Sequence, residues 1–347
     1  MSTPNITAAP WIAAQTRALL AQRGHAWLLQ GPSGLGQYEL AMSLARAWLC
    51  DRPTPDGACG QCASCHAIDV HAHADLAVLM PETVMLELGW PLSEKAQDAI
   101  DKKERKPSRE IRVDAMRDTV EFAQRTSGRG RGKAVLIYPA ERMNAITANA
   151  LLKTLEEPPG DVRFVLASEA AHVLLPTIRS RCLGHTLHWP LPADALAWLS
   201  AQGCPPREAA VLLRAAGGRP SDALRRAADQ PAQAAQRWSQ LPRALARGEA
   251  AALAEFSPAQ AIDALQKLCH DLLASATGAS PRFFDAAELP ATTGLRLSAL
   301  TDWARALTQA ARTAEHPFNA GLMLEALSTQ AAQMMRGTSS TSTGQRP

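Results

Sequence analysis

Short apolar runs alternate with amphipathic segments along the first half of the chain. Each run has the length and composition of a buried β-strand and is bounded by polar or turn-forming residues. The segments between the runs have roughly helical spacing, and one is stopped by Pro158 and Pro159. This alternation predicts a parallel sheet covered by helices on both faces. The predicted strands are 26–30, 74–81, 133–139 and 162–168, and the predicted helices are 2–24, 38–50, 111–126 and 144–157.

After residue 189 the pattern becomes helical almost throughout. Alanine-rich amphipathic segments continue to about Met335, and Ala, Leu and Arg favour helix. The ending, 337–347, is small and polar, so we expect it to be disordered. The pattern therefore predicts an α/β domain over 1–189 followed by an all-α part.

Composition and charge set limits on the function. The 347 residues are 46% apolar and carry a formal net charge of +3, which is ordinary for a globular protein and too small to indicate nucleic-acid binding by bulk charge. The sequence has no apolar stretch long enough to span a membrane. The N-terminus lacks the basic start and apolar core of a secretory signal. We therefore expect a cytoplasmic protein with reduced thiols.

Four cysteines lie close together in the sequence, at Cys50, Cys59, Cys62 and Cys65. Two-residue gaps allow neighbouring thiolates to converge on one ion, and four thiolates favour a closed, structural Zn²⁺ site. His66 could replace one cysteine, but it directly follows Cys65 and would need an awkward backbone path. The alternative is a cluster of thiols without a metal. The isolated cysteines, which we expect to be buried as small hydrophobes, are Cys182, Cys204 and Cys269.

The stretch "GPSGLGQYEL" has the glycine spacing of a phosphate-binding loop, with Gly31 and Gly36 in register and Gly34 between them. The motif G-x-x-x-x-G-K-[ST] continues with a lysine that neutralises phosphate and a hydroxyl that holds Mg²⁺. Here those two positions are Gln37 and Tyr38. Because phosphoryl transfer depends on charge neutralisation and positioning, we expect neither tight ATP binding nor hydrolysis.

The strand at 133–139 lacks the acids that an ATPase would carry there. A working partner strand would end in Asp-Glu, whereas this one ends in Tyr138 and Pro139. The glycine loop and the end of this strand therefore both lack residues that ATP hydrolysis needs, while the glycine spacing and the strand–helix pattern around them are kept. Chance degeneration of an ordinary turn does not predict that pairing.

Three motifs resemble those of the clamp-loader branch of the AAA+ superfamily, as found in bacterial DNA polymerase III. They are "NALLKTLEEPP" (149–159), "VRFVLAS" (162–168) and "PTIRSRC" (176–182), and they accompany the cysteine insertion and the degenerate loop. The resemblance implies an AAA+-like fold with an inserted zinc module, a helical lid and a helical collar that joins subunits in a ring. The implied domains are 1–189 (with the zinc module at about 50–66), 190–228 and 229–336, before the tail 337–347.

The resemblance also implies a function and partners. We expect a subunit without ATPase activity of its own, part of a DNA polymerase III holoenzyme and hence of a DNA-directed DNA polymerase. It would help to load the sliding clamp onto primed DNA during replication. Its direct partners would be the clamp-loader ATPase subunits and a delta subunit in a hetero-oligomeric ring. Zn²⁺ would be its one cofactor.

The motif Ser180-Arg181-Cys182 is similar to the arginine finger of this family. Such a finger reaches from one subunit into the ATP site of its neighbour, and guanidinium suits the role because it is permanently charged and binds phosphate oxygens in a fork. The bland alternative is that Arg179 and Arg181 are solvated loop residues.

Two further positions bear on nucleotide contacts. An active relative would carry a phosphate-sensing arginine where this chain has Ser221, although Arg219 lies two residues away. Ser168 ends its strand at the position that corresponds to another sensor, and in an inactive pocket it would cap a turn.

Two segments are charged but carry no clear role in the sequence. The loop 125–133 offers Arg125, Arg129, Arg131 and Lys133 on a glycine background, and it either contacts DNA phosphates or is a solvated turn. Residues 81–109 end in a charge-dense run that is typical of a solvated insertion.

The favoured function is therefore the non-hydrolysing clamp-loader subunit. The alternative is an active ATPase subunit of the same family, which Gln37, Tyr38, Tyr138 and Pro139 disfavour. A zinc-dependent nucleic-acid binder is more distant, because the net charge is small and aromatic residues do not interleave with basic ones.

Overall fold

The computed structural model describes residues 9–229, 233–314 and 319–336. The chain forms two compact units that divide between Asp194 and Ala195. The tail at 337–347, expected to be disordered, lies outside the described residues. None of the described helices combines the length and apolar character that a membrane crossing needs.

The first unit is an α/β structure with five strands in its described part. Its helices and strands, in chain order, are α1 (Pro10–Leu20), β1 (Ala26–Gln30), α2 (Gln37–Leu49), α3 (Ala63–Asp69), β2 (Leu76–Leu79), α4 (Glu82–Glu87), α5 (Glu94–Asp101), α6 (Val113–Gln124), β3 (Lys133–Ile137), α7 (Ala145–Glu156), β4 (Val162–Ser168), α8 (Pro176–Arg179) and β5 (Leu183–Thr186). Short 3₁₀ turns at Ala140–Arg142 and Ala171–Val173 follow β3 and β4.

All five strands are parallel, in the order β2-β3-β4-β1-β5. The central pair aligns Leu28 of β1 with Leu166 of β4, and both side chains are buried. The predicted parallel sheet and its four strands are confirmed. The fifth strand, β5, was missed because its residues are mostly exposed and carry no apolar pattern.

Local signals in the sequence explain where α7 begins and ends. The side chain of Asn144 accepts a hydrogen bond from the backbone N–H of Thr147 at 3.0 Å, which is a standard N-cap. The helix stops at Glu156, just before Pro158 and Pro159, because proline cannot continue the ladder. Leu151 and Leu155 are buried, so the apolar face of α7 packs onto the sheet.

The second unit is all-helical in its described part. Its helices are α9 (Pro192–Ala201, which begins just before the division), α10 (Pro206–Ala215), α11 (Pro220–Asp229), α12 (Ala234–Arg247), α13 (Pro258–Ala276), α14 (Leu297–Ala311) and α15 (Ala320–Met335), with a 3₁₀ turn at Ala250–Leu253. The predicted change to an all-α part is confirmed.

The core of the second unit is anchored by aromatic packing and one buried carboxylate. Trp238 stacks on Phe284 with ring centroids 4.6 Å apart. Asp271 is fully buried and accepts backbone N–H bonds from residues 282–284. The division of this part into a lid and a collar stays a prediction.

Candidate phosphate loop and cysteine cluster

The glycine loop lies at the carboxyl end of β1, where parallel sheets commonly bind ligands. Gly36 has a φ of 100°, a conformation that favours glycine, and it begins α2. A Cβ atom there would lie 2.7 Å from Ile12 Cδ1, so α1 closes tightly over the loop. The backbone thus keeps the turn that a phosphate loop requires.

Gln37 closes this loop on itself. Its Nε2 donates to the carbonyl oxygens of Gly31 at 2.7 Å and Pro32 at 2.6 Å. The residue is only 2% exposed. A neutral amide therefore occupies the position of the lysine and satisfies the loop carbonyls without bringing any charge toward a phosphate.

Tyr38 and Tyr138, one substituted position from each of the two segments, contact each other. Their ring centroids lie 5.5 Å apart. Trp90 Nε1 donates to the Tyr38 hydroxyl at 2.8 Å, and the Tyr138 hydroxyl donates to Glu169 at 3.0 Å. Burial raises the pKa of Tyr38 to about 12. Where an ATPase would hold a metal ion, this chain has two phenol rings packed against each other. Position 138, a tyrosine, supplies no carboxylate to bind a metal.

Trp90 comes from the segment 81–109, which is largely exposed, as its charged run predicts, but is also folded and anchored by a few buried residues. Trp90 is 8% exposed and stacks on His71 at a centroid distance of 3.8 Å. Glu82, also buried, accepts a two-pronged contact from Arg105, and this hydrogen bonding lowers the pKa of Glu82. The segment is therefore folded, with Trp90 buried in its middle and Glu82 near its start hydrogen-bonded to Arg105 near its end.

Ser168 is fully buried at the end of β4. Its hydroxyl donates to Glu141 Oε2 at 2.7 Å and accepts the backbone N–H of Ala170 at 3.2 Å. Glu141 also accepts the backbone N–H of Glu169. These bonds are those of a turn cap, the role that the sequence suggested for Ser168.

Arg181 lies at the surface and contacts its own chain. Its guanidinium contacts Glu156 and donates to the Thr177 carbonyl at 2.9 Å, while the side chain stays 30% exposed. Ser180 and Arg179 are exposed beside it. Burial raises the pKa of the Cys182 thiol to about 12, so this cysteine is an inert neighbour.

The residues near Ser221 belong to the second unit. Arg219 Nε donates to the Ala216 carbonyl at 2.8 Å and forms an ion pair with Asp222 at 3.1 Å. The guanidinium is therefore already held within its own unit.

The four clustered cysteines converge. The sulfur atoms of Cys50, Cys59, Cys62 and Cys65 all lie within 4.8 Å of one another. Cys50 ends α2, and Cys62 begins α3, where its sulfur accepts the backbone N–H of Cys65 at 3.4 Å. His66 is exposed and is not part of this group.

The sulfur spacing fits a tetrahedral metal ion. Cys50 Sγ lies 3.8 Å from the sulfur atoms of both Cys62 and Cys65. Four sulfurs bonded to zinc at about 2.3 Å would be about 3.8 Å apart, whereas a disulfide requires about 2.05 Å. The cluster could therefore hold one metal ion, and the chemistry of four thiolates favours zinc.

The loop 125–133 is ordered by a buried residue that the sequence did not single out, Asp75. This carboxylate, 1% exposed, accepts from the Ser127 hydroxyl and from the backbone N–H groups of Gly128 and Arg129, at 2.8 to 3.0 Å. Arg129 then donates to Ser64 of α3 at 3.3 Å. These bonds tie the loop to the start of β2 and to α3, although Gly128 and Arg129 are exposed.

Comparison with known proteins identifies the family. Residues 13–189, about half of the chain, match the family described as DNA polymerase III, delta subunit. The chain belongs to that family. The resemblance to DNA polymerase III clamp-loader proteins seen in the sequence is thereby confirmed.

Relatives carry the delta prime name. Subunit delta prime of DNA polymerase III from Pseudomonas aeruginosa is 41% identical over 208 residues, covering 59% of this chain and 56% of that protein. The Escherichia coli K12 subunit of the same name is 34% identical over 221 residues, covering 62% and 59%. The matched segments thus span somewhat more than half of these relatives.

A solved structure supports the fold. A DNA polymerase III gamma subunit-related protein from Thermotoga maritima superposes with a TM-score of 0.50 at 17% identity, covering 94% of this chain and all of that one. At this identity the likeness concerns the fold alone. It agrees with the AAA+-like architecture predicted from the sequence.

Proposed function

We propose that this chain is a clamp-loader subunit of DNA polymerase III that does not hydrolyse ATP itself. It assembles with ATPase subunits and a delta subunit in a hetero-oligomeric ring that loads the sliding clamp onto primed DNA. The family membership and the delta prime relatives support this assignment. The proposal goes beyond the matched segments, because these cover little more than half of the relatives.

One observation carries the non-hydrolysing part of the proposal. Tyr38 and Tyr138 stand where hydrolysis needs a metal-binding hydroxyl and carboxylates, and their rings lie 5.5 Å apart. Gln37 adds no positive charge to the loop. The chain keeps the shape of a nucleotide fold and lacks the groups that neutralise a triphosphate.

Arg181 acts in a neighbouring subunit. The similarity of Ser180-Arg181-Cys182 to the family's finger motif supports this role, as does the partial exposure of the guanidinium. In the single chain Glu156 holds that guanidinium in an ion pair. A neighbour's γ-phosphate, with more negative charge and three equatorial oxygens, would compete for the same fork of N–H groups.

The four clustered cysteines hold one structural Zn²⁺. Their sulfur spacing and the closed set of four thiolates support this assignment. The ion would tie the end of α2 to the start of α3. It would leave no open position for a substrate.

The test of the trans-acting role is Arg181→Ala in the reconstituted complex. Folding, metal content and assembly should stay intact, while DNA-stimulated ATPase activity and clamp loading fall. Loss of a finger costs about 10³-fold or more at the site it serves. Neighbouring sites with their own fingers would reduce the effect on the whole complex.

Two matched variants sharpen this test. Arg181→Lys should rescue only partly, because an ammonium cannot make the forked contact. Arg179→Ala, an exposed arginine two positions away, should have little effect. If the Arg181→Ala complex assembles and hydrolyses ATP at the wild-type rate, the trans-acting role is wrong and the subunit is structural.

A further inference from the structure

A groove with a volume of about 700 Å³ lies in the first unit, around the residues that lead into β1 and β4. Its position at the amino ends of these parallel strands sets it apart from the phosphate loop, which follows the carboxyl end of β1. The volume is within the range of about 300–1,000 Å³ that small-ligand sites occupy. This groove has no part in the function proposed above.

Positive charge dominates the groove. Four arginines line it, and the one acid among the lining residues is Asp161. Asp161 pairs with Arg163 at 3.5 Å, and Asp56 pairs with a second arginine at 2.6 Å. The other two, Arg23 and Arg131, are exposed and form no ion pair within the described part of the chain. The arginines of the lining are Arg17, Arg23, Arg131 and Arg163.

Apolar walls strengthen the field of these charges. Trp27 and Trp48 line the groove, are 2% and 8% exposed, and lie 5.1 Å apart between ring centroids. A cleft of one charge sign with low-dielectric walls focuses the potential and concentrates ions of the opposite sign. The indole nitrogen of Trp27 is buried and has no hydrogen-bond partner among the described residues.

The cysteine module supplies one wall of the groove. Pro53, Thr54 and Pro55, from the loop between Cys50 and Cys59, are part of the lining. That loop is held by hydrogen bonds across its turn and by an ion pair to α1. Thr54 and Gly57 exchange backbone hydrogen bonds of 2.8 and 3.1 Å, and Arg17 of α1 binds Asp56 at 2.6 Å.

Arg131 is fixed by the backbone of the loop that carries it. The next residue, Gly132, has a φ of 77°, and a Cβ atom there would lie 2.3 Å from the carbonyl oxygen of Asp161. The glycine thus permits a close approach that no other residue would allow. Lys133 N then donates to the same carbonyl at 2.9 Å. Arg131 is therefore held beside the start of β4.

We propose that this groove binds a phosphate-bearing ligand of about one or two nucleotides in size. Arg23 and Arg131 would contact the phosphates as unpaired cations, and the cysteine module would keep the far wall in place. The ligand could be a segment of single-stranded nucleic acid or a free nucleotide, since both present the same phosphate oxygens.

The experiment uses the full chain alone, so that its outcome is independent of any neighbouring ATPase subunit. Anisotropy of a fluorescein-labelled oligothymidylate measures binding between about 50 and 200 mM salt, and pyrophosphate serves as the small competitor. The test variant is Arg23→Gln with Arg131→Gln. The matched control, Arg117→Gln with Arg305→Gln, removes two exposed arginines, one of α6 and one of α14, that do not line the groove.

We expect the test variant to weaken oligothymidylate binding about ten-fold or more at about 50 mM salt, and the control variant to bind like wild type. A plot of the logarithm of the binding constant against the logarithm of salt concentration should become less steep by about 1.4. The reason is that each phosphate contact on a single strand contributes about 0.7 to this slope, and the variant removes two contacts. Cys62→Ser should weaken binding as well, since it loosens one wall.

A second readout identifies the source of the phosphate. Isotope labelling of the tryptophan indoles, with assignment by Trp27→Phe, follows the ring of Trp27, which lines the groove. A Trp27 shift with pyrophosphate but no oligothymidylate binding supports a free nucleotide. Equal loss of binding in both double variants, or no response to either probe, overturns the proposal.

Discussion

Asp75 shows how a single buried charge can order a loop that looks flexible in the sequence. Its three partners lie 52 to 54 residues away along the chain. The glycine-rich run 128–132 predicts a turn. The sequence contains no signal that this turn is hydrogen-bonded to Asp75, the acidic residue directly before β2. Only the fold brings the two together.

Replacing Asp75 by Asn should destabilise the first unit by about 2 kcal/mol at neutral pH, because a charged acceptor of three hydrogen bonds is lost. Burial alone would raise the pKa of Asp75, but the N–H groups of Gly128 and Arg129 and the Ser127 hydroxyl outweigh it and lower the pKa. A lowered pKa gives stability that is present above the unfolded value of about 3.9 and is lost as the pH falls through the folded value. Urea unfolding from neutral to acidic pH should show the gap between wild type and variant closing.

The control for this prediction is Asp114→Asn, which alters an acid that is 69% exposed in α6. It should change the free energy of unfolding by less than about 0.5 kcal/mol. A gap between Asp75→Asn and wild type that is constant with pH would contradict the electrostatic account.

At the scale of elements, the segment 81–109 is largely exposed, as predicted, but contains two short helices that the sequence did not indicate. Charged residues outnumber apolar ones in its second half, and this composition is typical of a solvated loop. One buried tryptophan and one buried ion pair are enough to dock two short helices, α4 and α5. Such anchors are single residues without periodicity, so pattern analysis passes over them.

Trp90→Ala should loosen this segment while the sheet stays folded. Deleting a buried tryptophan costs about 3 kcal/mol or more, and it also removes the donor to Tyr38. Hydrogen exchange in peptides that cover α4 and α5 should accelerate about 100-fold, because a loss of about 3 kcal/mol in local opening corresponds to two decades. Leu86→Ala, at a leucine that is 48% exposed, should leave exchange nearly unchanged. Equal acceleration in both variants would show that Trp90 is not the anchor.

The cysteine module makes a prediction about metal content. Protein purified without chelator should contain one zinc per chain by elemental analysis, and Cys62→Ser should lose it while the circular dichroism of the sheet domain persists. The reason is that three thiolates no longer close the tetrahedron. Cys182→Ser, outside the cluster, should retain the ion. Wild-type protein without stoichiometric zinc would refute the assignment.

The cysteine spacing allowed this module to be predicted where the fifth strand could not be. Two-residue gaps restrict which atoms can meet, so Cys59, Cys62 and Cys65 point to one site before any fold is known. The strand β5 has only four residues, of which Leu183 and Gly184 are exposed. Its pairing with β1 depends on long-range contacts that leave no local signature.

For the molecule as a whole, the three motifs that carry the family resemblance over 149–182 lie in the first unit, and the family match ends at residue 189. The second unit was predicted from helical character and from the short stretch "AAGGRPSDAL" (215–224). Alanine-rich amphipathic helices are compatible with many packings, so the sequence predicted the class of the second unit and not its arrangement.

We expect the isolated chain neither to bind Mg-ATP tightly nor to hydrolyse it. Gln37 supplies no charge, and Tyr138 supplies no carboxylate for a metal ion. Calorimetry should give no dissociation constant in the low micromolar range, and turnover should vanish on further purification. A variant with Gln37→Lys and Tyr38→Thr should still fail to hydrolyse, because it leaves the β3 end unchanged. Turnover by wild type that resists purification would favour the ATPase alternative.

The contact between Tyr38 and Tyr138 also bears on the mutational paths open to this chain. Because the two rings pack together and Trp90 donates to one of them, substitution at either tyrosine strands its partners. Effects at contacting positions are not additive. A lineage that regained lysine, threonine and paired acids would cross intermediates that are less stable and still inactive. Single substitutions at either ring therefore cost stability without restoring the lysine, hydroxyl and carboxylates that ATP hydrolysis needs.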